Sequence, residues 1–278
     1  MMLACVFLFL LGAVVGSFLN VLIDRLPEGR SILGRSGCDF CHTPLPWFDL
    51  VPLLSFLMLR GRCRFCGAQI PWRLPLVELV TGLGFVGLFW LSPGLYTLPF
   101  GPQGLLPLIS CTVHCILFSA LVVLFFTDLE YGILPDKIIF PAVGVALMYY
   151  VVSGVASLGA GPVNVKDLVL DVGLLTALFS AFGLSLFFIL LIAVTRGRGM
   201  GWGDVKLGFL LGLVLGWPQT LVAAVLSFLL GGAVSAMLVL GGKKDIKDSV
   251  PFGSFLVVAT GVAAVWGGVI WEWYIGTL

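Results

Sequence analysis

One long apolar run ends in an acid, with the sequence Leu121-Val122-Val123-Leu124-Phe125-Phe126-Thr127-Asp128. Apolar runs of this kind determine the fold of the chain. Of the 278 residues, 60% are apolar and only 10% are charged, and the mean hydropathy is +1.14. Because about 17–25 apolar residues cross a bilayer as one helix, the composition is typical of an all-α, polytopic membrane protein. The formal net charge of +1 and the absence of a nucleic-acid-binding motif give no reason to expect nucleic acid as a partner.

Eight apolar runs are candidates for transmembrane helices, and the sixth of them is short. They lie at about 1–23, 75–92, 104–127, 136–157, 168–194, 204–217, 219–240 and 252–275. The first run has neither a basic start nor a small-residue cleavage site, so we expect a retained helix rather than a signal peptide.

The basic residues predict the orientation of these helices, because loops on the inner side of a membrane are enriched in Lys and Arg. With the amino terminus outside, fourteen of the fifteen basic residues lie in inner segments and only Lys166 lies outside. Asp128 and Asp204 then lie at the cytoplasmic ends of their helices.

Four cysteines form two CxxC pairs, Cys38 with Cys41 and Cys63 with Cys66, in the one sizeable segment between predicted spans, 24–74. Each pair can place two thiolates on one turn, and two such turns complete a tetrahedral zinc site. A disulfide or redox role is the alternative. A reducing cytoplasm argues against disulfides, and a redox CxxC motif would not require a second CxxC motif. We therefore expect a structural zinc ion that folds a loop domain too small to build its own core.

The remaining cysteines, Cys5, Cys111 and Cys115, lie in apolar runs, with His114 near the last two. A second metal site is one interpretation of this cluster. Buried helix packing is the interpretation that we prefer, because free cysteine behaves as a small hydrophobic residue.

Two aspartates at the ends of apolar runs are candidates for catalysis, because ionisable residues at membrane depth are costly and commonly functional. Asp128 ends the third run, and Asp204 follows the glycines of Gly201-Trp202-Gly203. Two adjacent carboxyl groups share one proton, so one can activate water while the other polarises a carbonyl group. The alternatives are a solvated acid for Asp128 and a helix-capping acid for Asp204. Asp136, after Pro135, is expected to be a first-turn or capping acid.

Several motifs carry a resemblance to a known family. They are Gly16-Ser17-Phe18-Leu19-Asn20-Val21-Leu22-Ile23 with Arg25-Leu26-Pro27, the paired CxxC motifs, Pro75-Leu76-Val77-Glu78-Leu79-Val80-Thr81-Gly82, the segment from Asp128 to Leu134-Pro135-Asp136, and Gly201-Trp202-Gly203-Asp204-Val205-Lys206. In this order they resemble the bacterial type IV prepilin peptidases, which are GxGD intramembrane aspartyl proteases.

The resemblance implies a bifunctional enzyme of the bacterial inner membrane. It implies cleavage of a short basic leader from type IV prepilins or type II secretion pseudopilins, followed by N-methylation of the new amino terminus with S-adenosylmethionine. The family's catalytic aspartates correspond to Asp128 and Asp204, and its zinc ligands to Cys38, Cys41, Cys63 and Cys66. For the methyl donor the candidates are Glu78 and the 24–74 domain, and the alternative for Glu78 is an acid near a helix start.

The predicted organisation is a first transmembrane helix at 1–23, a zinc-binding domain at 24–74 and a transmembrane peptidase core at 75–278. Two other classes stay open. An ion-coupled transporter would also keep membrane acids, although usually near the midplane and in repeated halves. A zinc-ribbon membrane adaptor would explain the cysteines and leave the aspartates without a role.

Overall fold

The computed structural model describes residues 1–92, 102–159, 173–197, 200–242 and 250–277. The side chains of 102–106 and 154–159 are outside that description. Within these ranges the chain forms α1 (Met2–Arg25), a 3-10 helix (Trp47–Leu50), α2 (Leu54–Met58), α3 (Arg73–Trp90), α4 (Pro102–Tyr131), α5 (Asp136–Gly159), α6 (Leu174–Thr195), α7 (Trp202–Leu215), α8 (Gln219–Leu240) and α9 (Phe252–Gly276). Extended structure in the same ranges is limited to two isolated β-bridges.

Seven of the described helices, α1, α3, α4, α5, α6, α8 and α9, are long and apolar enough to cross a membrane. The predicted all-α membrane fold is therefore confirmed. The short sixth run corresponds to α7, whose 14 residues span about 21 Å, less than the roughly 30 Å of a hydrocarbon core. Lys166, Arg198 and the lysines at 243, 244 and 247, which entered the orientation argument, lie outside the described residues.

The described chain groups into two compact units, Met1–Val123 and Leu124–Leu278. The predicted division into 1–23, 24–74 and 75–278 stays a prediction of functional organisation. In the first unit α1 packs against α3 through glycine. A Cβ atom at Gly12 would lie 2.8 Å from Gly82 Cα, and one at Gly16 would lie 2.7 Å from Glu78 Cα. Small residues spaced by four therefore bring the two helix backbones together, as is common in membranes.

In the second unit α7 is the most enclosed helix, with Leu207, Leu210, Leu211 and Leu213 at most 1% exposed. A Cβ atom at Gly212 would collide with the backbone of Ala181 on α6, and one at Gly208 would lie 2.8 Å from the Phe188 ring. Close packing of α7 on α6 is therefore possible because these positions are glycine. It holds the first turn of α7, which carries Asp204, in a buried position.

Candidate functional site

The two CxxC pairs lie on two turns of the same local geometry. A β-bridge joins Gly37 to Pro44 around the first pair, and another joins Arg62 to Gln69 around the second. The amide of the first cysteine donates across each turn, from Cys38 to Thr43 O at 3.1 Å and from Cys63 to Ala68 O at 2.8 Å.

The residue after each pair adopts a left-handed conformation, with φ 54° at His42 and 71° at Gly67. Gly67 adopts this conformation at no steric cost. His42 has the same backbone geometry at the matching position, so it is a turn residue as well. His42 does not belong to the group of side chains close enough to share a metal.

The four thiol groups converge, with all four Sγ atoms within 4.8 Å of one another and Cys38 Sγ 3.8 Å from Cys66 Sγ. A tetrahedral zinc ion with Zn–S bonds of about 2.3 Å separates its sulfur ligands by about 3.8 Å. Hydrogen bonding from Thr43 lowers the pKa of the Cys41 thiol to about 6, which favours the thiolate form that metals bind. All seven cysteines are free thiols. The donor set therefore fits a structural zinc ion.

An ion pair that the sequence analysis missed connects the 3-10 helix to the second turn. Asp49, whose side chain is 2% exposed, accepts three hydrogen bonds from Nε and Nη2 of Arg64, the shortest at 2.6 Å. The same guanidinium lies 5.1 Å from the centre of the Phe48 ring, and hydrogen bonding to Asp49 raises the pKa of Arg64. Charges 15 residues apart gave no local pattern from which this pair could be recognised.

A cavity of about 350 Å³ lies in the first unit, bounded by α1, α3 and the segment that carries the cysteines. Glu78 lies on its wall, 9% exposed, and its Oε2 atom accepts the amide of Leu53 at 2.7 Å. Leu53 has φ 59°, which is uncommon for a residue with a branched side chain. Glu78 therefore holds this turn against α3. This contact gives Glu78 a structural role that an acid merely near a helix start would not have.

Asp128 and Asp204 are brought together in the second unit, both buried, at 6% and 8% exposure. Burial raises the pKa of Asp204 to about 6, and the negative charge of Asp128 contributes to this rise. Asp128 Oδ2 accepts the amide of Ser254 at 2.6 Å, and Asp204 Oδ2 accepts the amide of Gly201 at 3.0 Å. Each carboxylate thus lies at the start of a helix, Asp128 at α9 and Asp204 at α7, where the helix dipole favours negative charge.

Glycines allow this convergence. The chain leaves α4 through Gly132, with φ 63°, and Leu134 then lies against the first turns of both α7 and α9. A Cβ atom at Gly203 would be 3.1 Å from Leu134 Cδ1, and one at Gly253 would be 3.2 Å from Leu134 Cδ1 and 3.0 Å from Asp128 Oδ2. A larger residue at either glycine would push a helix start away from the carboxylates.

Gly253 and Ser254 were missed by the sequence analysis. Ser254 contacts Asp128 through its backbone amide, which every residue except proline possesses, and through its hydroxyl group. The one local signal is Pro251-Phe252-Gly253-Ser254, a proline and a small polar residue at a helix start.

Asp136 begins α5, as expected for a first-turn acid, and its carboxylate also accepts Lys206 Nζ at 2.7 and 2.8 Å. Lys206 lies 5.7 Å from the centre of the Phe140 ring as well. Both contacts attach α7 to α5, so Lys206 serves as an anchor beside the acids.

The preference for helix packing at Cys111 and Cys115 also agrees with the structure, where both pack against Phe85 in an apolar cluster. Among the described residues, the metal-binding geometry is found at the four CxxC cysteines.

The fold and the site define a multi-pass, all-helical membrane protein with a converging pair of buried aspartates and a four-thiol cluster. Comparison with known proteins identifies the family. The chain matches the Bacterial Peptidase A24 N-terminal domain over residues 10–92 and the Type IV leader peptidase family over residues 115–236.

Similar proteins include three that carry the name prepilin leader peptidase/N-methyltransferase. That of Aeromonas hydrophila is 34% identical, with 96% of this chain and 92% of the relative covered. That of Pseudomonas aeruginosa is 31% identical over 96% of this chain and 91% of the relative, and that of Klebsiella pneumoniae is 36% identical over 78% and 89%. No solved structure matches. The chain belongs to the bacterial type IV leader peptidase family, which confirms the resemblance.

Proposed function

We propose that this protein cleaves the short basic leader from type IV prepilins or type II secretion pseudopilins, with Asp128 and Asp204 as the catalytic dyad. The observation that carries the proposal is the convergence of these two buried carboxylates at the first turns of α7 and α9. The names of the relatives support the substrate class.

The dyad works with one proton between two carboxyl groups, because like charges a few ångströms apart cannot both ionise. The ionised member takes a proton from a water molecule, and the protonated member polarises the scissile carbonyl. The roles reverse when the amine leaves. Amides of Ser254 and Gly201 orient the two carboxylates toward a shared position for water and substrate.

We place the active site at the cytoplasmic face of the inner membrane, with the amino terminus outside. The distribution of Lys and Arg supports this orientation. A basic leader in the cytoplasm suits an acidic site there, and a hydrophobic pilin helix can lie among the apolar spans.

The second activity is N-methylation of the amine that cleavage exposes. S-adenosylmethionine, when bound, supplies an electrophilic methyl group. We place its binding at the 350 Å³ cavity beside Glu78 and the 24–74 segment. A cavity of this size is typical of a small-molecule site. The four cysteines would hold zinc as a structural ion, since a fully protein-ligated site has no open position for a reacting group.

Single asparagine substitutions test the dyad. Asp128→Asn and Asp204→Asn should each lower cleavage of a prepilin in detergent by roughly 10²- to 10⁴-fold, because neither variant retains an exchangeable pair of carboxyl groups. Asp136→Asn is the matched control and should retain substantial activity, since its carboxylate only contacts Lys206. Full cleavage by either dyad variant would refute the assignment of that aspartate to the dyad, whereas a wild type that cleaves no prepilin would leave a transporter or adaptor as the alternative.

A further inference from the structure

Asn20 presents a buried oxygen that the rest of the described chain does not use. Its side chain is 5% exposed, and its Nδ2 atom donates to Leu74 O at 3.0 Å, which determines the end of the amide at which the oxygen lies. Two buried side-chain polar atoms among the described residues lack a hydrogen-bond partner, Asn20 Oδ1 and Gln219 Oε1. Buried acceptors are nearly always paired, so each such oxygen needs an explanation.

Asn20 lies on the wall of the 350 Å³ cavity, and so does Glu78. The side chain of Ser17, one turn before Asn20 on α1, hydrogen bonds to Glu78. Leu74, which accepts from Asn20, lies one turn before Glu78 on α3. Asn20 and Glu78 therefore belong to neighbouring turns where α1 packs on α3. Together they form a region of hydrogen-bond acceptors on one wall.

The arginines that line the same cavity are mostly engaged. Arg25 donates to three backbone carbonyls, Arg30 pairs with Glu28, and Arg64 pairs with Asp49. Arg35 also lines the cavity, and its guanidinium has no hydrogen bond or ion pair with the described chain. The cavity thus combines neutral and anionic acceptors with one guanidinium that is available to an anion.

This combination complements an α-amino acid, which carries an ammonium group and a carboxylate. We propose that Asn20 Oδ1 and Glu78 bind the amino group of the methionyl end of S-adenosylmethionine, and that Arg35 binds its carboxylate. The inference rests on the proposed methyl transfer and adds the residues that recognise the donor. An ammonium group has three N–H donors, enough for the amide oxygen and the carboxylate together.

Equilibrium dialysis of radiolabelled S-adenosylmethionine against the purified full chain in detergent tests the proposal without requiring turnover. Asn20→Leu keeps the approximate side-chain volume and removes both the oxygen and the hydrogen bond to Leu74 O. It should weaken donor binding about tenfold or more. Gln219→Leu removes the other unpartnered oxygen, which lies at the start of α8, and should leave donor binding within twofold of wild type. Retained zinc and an unchanged unfolding profile show that Asn20→Leu is folded.

A donor lacking its amino group gives a second comparison. The wild type should bind this analogue about tenfold less tightly than the complete donor. In Asn20→Leu the difference between the two ligands should be smaller, because only Glu78 then binds the amino group. Arg35 is exposed, so Arg35→Gln tests the contact with the donor carboxylate without burying a polar group. It should weaken binding of the donor and of the amino-free analogue by the same factor.

Two results would overturn the inference while leaving the proposed methyl transfer intact. One is a donor affinity unchanged by Asn20→Leu. The other is an effect of Asn20→Leu confined to the KM of a pre-cleaved pilin peptide, which would make Asn20 a receptor for the substrate amine. A wild type that binds no donor would instead refute the methyltransferase part of the proposed function, and the inference with it.

Discussion

Gly253 and Ser254 place the backbone of α9 where Asp128 requires a hydrogen-bond donor. Asp128 lies in the last turn of α4, where the helix dipole opposes a negative charge. The Ser254 amide at 2.6 Å, within the first turn of α9, supplies the opposite end of a second dipole. The Asp128 carboxylate lies at the unfavourable carboxyl end of α4, and the favourable amino end of α9 stabilises it. Gly253 lets α9 come this close because it has no side chain.

Gly253→Ala should lower the cleavage rate even when the comparison is made with equal amounts of folded protein. The added methyl group would lie about 3.0 Å from Asp128 Oδ2 and displace either the carboxylate or α9. Displacement by about 1 Å can reduce a rate by about a hundredfold. Gly261→Ala, on the same helix with open space around it, is the control and should cleave like wild type. Cleavage assays with equal amounts of folded protein compare the two, and equal rates would show that the contact is unimportant.

The helices themselves follow from the sequence, but their partners do not. Apolar run length predicted the membrane helices, because every lipid-exposed backbone group must be satisfied within its own helix. The four cysteines and two aspartates could be singled out because their chemistry is visible in short motifs, and their roles stay predictions. The Ser254 amide, the Asn20 oxygen and the cavity arise from packing between distant segments. No local pattern encodes such contacts.

Close packing of α6 on α7 is the element-scale feature that positions Asp204. Gly212→Ala would drive a methyl group into the backbone of Ala181 and should lower the free energy of unfolding by about 1–3 kcal/mol. Gly183→Ala, on α6 with open space around it, should instead leave stability unchanged or raise it by about 0.5–1 kcal/mol. Thermal unfolding in detergent, followed by circular dichroism, measures both variants. A Gly212→Ala protein as stable as the control would contradict the packing argument.

At the scale of the whole molecule, the two proposed sites fall in separate units. The aspartates lie within Leu124–Leu278, and the thiol cluster and cavity lie within Met1–Val123. The family profiles divide similarly, at residues 10–92 and 115–236. Separate folding units and separate chemical groups lead us to expect two activities that can be lost independently.

The zinc site should affect one activity before the other. Purified protein should contain about one zinc per chain, because four thiolates complete a tetrahedral shell. Replacing Cys38 and Cys41 together by serine should remove the metal, expose the 24–74 segment to limited proteolysis and reduce methylation before cleavage. Cys5→Ser, which changes a cysteine outside the cluster, is the control. Elemental analysis that finds no metal in protein prepared without chelator would refute the site.

The order of the two reactions gives the last prediction. Methylation requires a free amino terminus, which exists only after the leader has left, so cleavage must come first on any one substrate molecule. Asp204→Asn should therefore methylate a pre-cleaved pilin peptide at the wild-type rate, because its missing carboxylate belongs to the dyad. Glu78→Gln should show the opposite pattern, with weakened methylation and normal cleavage, since its carboxylate borders the cavity. Mass spectrometry of the peptide amino terminus separates the two products. A folded Asp204→Asn protein that fails to methylate the pre-cleaved peptide would mean that one site carries out both reactions.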